Sequence, residues 1–151
     1  MYTHHILLVL HLIAATIWVG GHLVLAIGYL PKALKHKDFS FISNFEKTYE
    51  PIGMPSLAVL VITGILMAYD YNTGFSSWFS FASPIERVVS LKLAFFLTSI
   101  CFAISAQTRV LPKLRKGQLN KLPEMAVHII CVTLIGVIIC VIRLSDRGLT
   151  E

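Results

Sequence analysis

Residues 6–30 read ILLVLHLIAATIWVGGHLVLAIGYL and stop at Pro31, without a single Asp, Glu, Lys or Arg. Such a run is long enough to cross a hydrocarbon core, which takes about 20 apolar residues in a helix. Three comparable runs follow. They cover 52–69, ended by Asp70; 88–111, ended by Pro112; and 125–142, ended by Arg143. Pro31, Pro51, Pro55, Pro112 and Pro123 bracket these runs. They are read as helix boundaries, because the ring suits a first turn and disrupts an interior. Backbone groups in lipid must bond within their own segment, so the runs are helices. The predicted fold class is all-α: a four-transmembrane-helix bundle forming one integral membrane domain over 1–151.

Composition agrees. Only 14% of residues are charged and 56% are hydrophobic, whereas a soluble domain has about a quarter charged. The formal charge of +5 sits in short connections between apolar runs, which argues for a lipid bilayer and not nucleic acid as the partner. Lys32, Lys35, Lys37 and Lys47 lie in the first connection, and Lys113, Arg115, Lys116 and Lys121 in the third, with Arg109 just inside the helix. The opposite side carries Arg87, Arg143 and Arg147, with Lys92 one turn inside. The positive-inside rule then makes the first and third connections cytoplasmic and both termini periplasmic, in a multi-pass inner-membrane protein. No signal-peptide pattern precedes the first run, which is therefore kept as a span. Cys101, Cys131 and Cys140, odd in number and inside apolar runs, argue against a disulfide framework. The 71–84 connection reads as an interfacial segment anchored by Trp78, and 32–50 as a short amphipathic helix. No strong sequence repeat stands out.

Ionisable groups inside spans are costly and mark functional hypotheses. On the first helix His11 and His22 fall within about 20° of each other, and His4 and Trp18 share their face. Ala14, Ala15, Gly20 and Gly21 keep the surroundings thin, leaving room for another helix or a flat cofactor. A buried imidazole stripe suits haem, whose iron takes axial histidine. Depth predicts two pairings: His11 with Lys92 towards the termini, and His22 with His128 towards the basic connections. The candidate cofactor residues are His11, His22, His128, Lys92 and Trp18, with His11, His22 and His128 as metal ligands. They would hold one b-type haem, or two stacked haems. Each has a plain alternative. A membrane histidine can simply tie its helix to a neighbouring carbonyl, Lys92 can snorkel to headgroups, and Met54, Met67 and the cysteines can be packing residues. Arg87 and Arg143 are alternatives to Lys92 as propionate partners. Gln107 and Arg109 are candidate contacts for a quinone or a propionate.

The stretch His11-Leu-Ile-Ala-Ala-Thr-Ile-Trp18-Val-Gly20-Gly21, followed by Pro31, resembles the first helix of the copper resistance D (CopD) family. Pro55-Ser-Leu-Ala-Val-Leu-Val-Ile-Thr63-Gly64 and Leu91-Lys92-Leu93 are similar to later parts of that family. His11, Trp18, Lys92 and Asn120-Lys-Leu-Pro123 also resemble, in part, the HemJ-type protoporphyrinogen oxidases. The resemblance implies b-type haem with His11, and Lys92 beside it, as ligand candidates. The expected function is a haem-dependent membrane oxidoreductase that passes electrons between a membrane or periplasmic donor and an acceptor, with a quinone as one candidate partner. Three alternatives stand beside it. One is a copper transport or resistance protein without haem, using His4, His5, His11, His22 and Met67, since imidazole and thioether suit copper. Another is a HemJ-like oxidase. The last is a structural subunit of a larger complex, whose histidines only tie helices together. A homo-oligomer is a further candidate assembly. The sequence assigns no catalytic residue.

Overall fold

The computed structural model describes the backbone over 2–70 and 84–148, and side chains over 4–70 and 86–142. The connection holding Trp78 and the side chains of Arg143 and Arg147 lie outside those residues. Helix α1 (Tyr2–Val24) runs through a π-turn (Leu25–Tyr29) into the short α2 (Leu30–His36). A tight turn leads to α3 (Ser40–Asp70). Helix α4 (Pro84–Ser105) runs through a second π-turn (Ala106–Val110) into α5 (Leu111–Arg115), and α6 (Leu122–Gly148) closes the chain. Four of these helical stretches are long and apolar enough to cross a membrane: His4–His36, Ser40–Asp70, Glu86–Arg115 and Leu119–Ile142. The all-α, four-span expectation therefore stands.

Pro123 stands in the first turn of α6, as expected, but Pro31 and Pro112 do not end their helices. Proline lacks the N–H and its ring clashes with the carbonyl four residues back. At Pro31 and Pro112 the preceding turn widens. The Leu30 N–H bonds to the Leu25 carbonyl, and the Leu111 N–H to the Ala106 carbonyl, each five residues back. This π geometry makes room for the ring, and the helix continues. Pro51 and Pro55 lie inside α3 with exposed rings. Most of the segment read as a separate amphipathic helix thus belongs to α2 and α3. Lys37 separates them with a left-handed φ of 51°, and Asp38 accepts bonds from the Ser40 N–H (2.8 Å) and hydroxyl (2.7 Å), fixing the start of α3.

The two π-turns expose a repeat that the whole-chain reading missed. Tyr29-Leu-Pro-Lys32 and Val110-Leu-Pro-Lys113 occupy equivalent places. Leu30 and Leu111 are buried, and so are Ala33 and Leu114, three positions further on in each copy. With Phe39, Ile42, Leu122, Met125 and Ile129 they form one continuous core, which closes the end of the bundle that carries the basic connections. Away from that end the helices spread. α3 packs along α1, α1 touches α6, and α6 packs on α4. Among the described residues α3 and α4 scarcely approach each other. Among the described residues the bundle is tightest at the basic end.

Candidate functional site

A cavity of ≈ 270 Å³ lies among the four long helices towards the termini. Its polar lining is sparse: His11 and Trp18 from α1, Lys92 and Ser99 from α4, and Cys140 from α6. The rest is apolar, including Gly64 and Met67 on α3, Phe96 on α4 and Gly136 on α6. A dry apolar cavity of roughly 150 Å³ already holds a benzene ring. This one is larger, and α3 and α4 supply facing walls without closing on each other.

His11 is held in one tautomer. Its Nδ1 lies 2.9 Å from Thr63 Oγ1. Thr63 donates its only hydroxyl proton to the Val59 carbonyl, 2.6 Å away, so the oxygen must accept from His11. The proton therefore sits on Nδ1 and the lone pair on Nε2, the arrangement a metal-binding imidazole needs. Gly64 lets the ring lie against α3, since a Cβ there would stand 3.3 Å from His11 Cε1. Thr63, which the sequence offers only as part of the stretch similar to the CopD family, is thus the residue that orients His11. A buried threonine on a facing helix at the depth of His11 is the signal that marks it.

His11 and Lys92, expected from depth to pair, both line the cavity. The repeat explains it: His11 stands twenty positions before Pro31, and Lys92 twenty before Pro112. Trp18 and Ser99, each thirteen positions before its proline, are the next equivalent pair, and both line the cavity.

The second expected pair has other partners. His22 donates from Nδ1 to the Trp18 carbonyl at 2.9 Å, packs on the Trp18 indole at 4.4 Å between centroids, and meets Tyr49 edge-on. His128 donates from Nδ1 to the Glu124 carbonyl at 2.7 Å. It takes the Ser105 hydroxyl proton on Nε2 at 3.1 Å and meets Phe102 edge-on. His22 therefore faces α3 and His128 faces α4, and neither is among the cavity-lining residues. Thr133 bridges the α6 and α1 backbones by donating to Ile129 O and His22 O. Elsewhere His4 pairs with Asp70 at 3.1 Å, and Gln107 donates to Glu46. Among the described residues, no group of three His, Cys, Asp or Glu side chains is assembled that could hold a metal ion.

Tyr49 locks α1 to α3 above the closed core. Its hydroxyl reaches the Ile17 and Trp18 carbonyls at 2.9 and 3.2 Å. Its ring fills the space that side chains at Gly21 and Gly53 would need. Gly21 is thus required for helix approach.

No curated protein and no solved structure matches the chain. A family model described as Copper resistance protein D matches residues 43–144. The match takes in Thr63, Lys92, Ser99 and Cys140, and begins after the helix that carries His11 and Trp18. With its four membrane-spanning helices and a match over most of its length, the chain belongs to the Copper resistance protein D family.

Proposed function

We propose that this CopD-family protein binds a b-type haem at the cavity and acts as a membrane electron carrier, and that His11 is the residue that would hold the iron. The tautomer set by Thr63 carries the reading. It presents the ring nitrogen with its lone pair, next to a mostly apolar cavity. The residues that would hold the group are His11 as the imidazole donor and Lys92 as a cation for a propionate, and the cavity of ≈ 270 Å³ would have to widen between the helices to take the ring. Haem iron, when bound, supplies one-electron transfer at a potential tuned by burial and axial ligation. The chain's own work is to fix the imidazole through Thr63, to keep water away with apolar walls, and to supply positive charge through Lys92. In this reading His22 and His128 tie helices together and are not ligands, and the closed basic end faces the cytoplasm.

A copper-binding reading is favoured by a different observation. His11, Met67 and Cys140 line the same cavity, and imidazole, thioether and thiolate are copper ligands. Copper would then be cargo, in keeping with the family's name.

The deciding experiment is an optical spectrum of detergent-purified protein, oxidised and dithionite-reduced, with iron and copper analysis on the same sample. A Soret band that shifts on reduction, with near-stoichiometric iron, supports haem. A colourless protein carrying copper sinks the haem reading and supports the second. Thr63→Val keeps the shape but removes the acceptor for Nδ1. Loss of such a partner behind a ligand costs ~10–100-fold in affinity. Haem titration of the apo-protein should show that weakening with the helix content intact. Unchanged affinity would mean that Thr63 does not position the ligand.

A further inference from the structure

We propose that the part of the cavity between Trp18 and Ser99 binds a lipid-soluble quinone and its quinol, entering from the bilayer between α3 and α4. Its purpose rests on the redox reading above, but the binding itself does not. Ser99 is only 4% exposed, lines the cavity, and its hydroxyl has no hydrogen-bond partner among the described residues. Other hydroxyls in these helices behave differently. Ser56, Thr98 and Thr108 each donate to the carbonyl four residues back at 2.7–2.8 Å. A buried polar group left unsatisfied is unfavourable, so the Ser99 hydroxyl suits a partner that arrives with a ligand.

The surroundings narrow the class of that ligand. Trp18, Phe96, Leu57 and Leu60 offer aromatic and aliphatic walls, and all the walls belong to helices long and apolar enough to span the membrane, so the route proposed between α3 and α4 leads from lipid. A ligand from that side must dissolve in the bilayer. An acyl tail would give Ser99 nothing to bond. A ring bearing oxygen would. A serine hydroxyl donates to a quinone carbonyl and accepts from a quinol hydroxyl, so one residue serves both oxidation states. The ring would pack against Trp18 and Phe96, as aromatic groups do in apolar sites.

Trp18 reports occupancy directly, because Trp78 is the only other tryptophan. The full chain carrying Trp78→Phe is titrated in micelles with ubiquinone-1 while indole fluorescence is followed, with and without a further His11→Ala change. Saturable quenching is expected in both. Ser99→Ala should weaken it about tenfold, the factor that corresponds to ~1.4 kcal/mol. Ser90→Ala is the control, since Ser90 is equally buried and unbonded but lies off the cavity; it should leave the titration unchanged. Quenching that never saturates, or that ignores Ser99→Ala, overturns the quinone site. A colourless parent protein with Ser99-dependent quenching overturns the haem proposal and leaves the quinone site standing. A haem-containing protein with Ser99-indifferent quenching does the reverse.

Discussion

Purified His11→Ala protein is expected to retain its four helices and lose nearly all its Soret absorbance and iron. The expected size follows from comparison. Removing a hydrogen-bond partner behind a metal ligand costs ~10–100-fold, and removing the ligand itself should exceed that range. No other histidine described in the structure lines the cavity, so replacement from within is not at hand. A loss of absorbance alone would not separate ligation from folding. His11→Gly therefore serves as a partner variant, with free imidazole added to the detergent. Imidazole should enter the vacated space and restore the spectrum. Full haem occupancy in His11→Ala, with an unchanged spectrum, would remove His11 from the site.

The second large effect is expected at Gly21. Its missing side chain is where the Tyr49 ring lies, and the Tyr49 hydroxyl is bonded to the α1 backbone. Gly21→Ala forces the ring or the whole helix to move. Overpacking of this kind costs ~1–3 kcal/mol, and losing the displaced hydroxyl bonds adds to it. A lowered midpoint of thermal unfolding in detergent should report it. The double variant Gly21→Ala with Tyr49→Leu should be less destabilised than the two single changes added together, because the smaller side chain makes room. Strict additivity would mean that the two residues do not share this contact.

The four spans were legible because lipid leaves few options: long uncharged runs must be helices. Depth places His11 and Lys92 at one level, and both line the cavity. What failed to read was local geometry. Pro31 and Pro112 look like terminators, and only the widened turns before them reveal that the helices go on. For the same reason Tyr29-Leu-Pro-Lys32 and Val110-Leu-Pro-Lys113 pass as two separate helix ends, although aligning them brings His11 onto Lys92. His22 and His128 were paired by depth, but rotation about each helix axis decides the partner, and apolar residues on every side leave that rotation unmarked in sequence. Tyr49 and Gly21 lie 28 positions apart, and only packing connects them.

The closed core at the basic end bears on transport. An ion held near His11 would meet a plug of Leu30, Leu111, Leu114 and Met125 on its way to the basic end. To cross, it would have to shed its ligands and part these side chains, and the two π-turns lie against the same layer. An electron needs no such gate, because it tunnels through packed matter. An ion would therefore cross the basic end only if that layer separates, whereas the electron transfer proposed above would need no such opening.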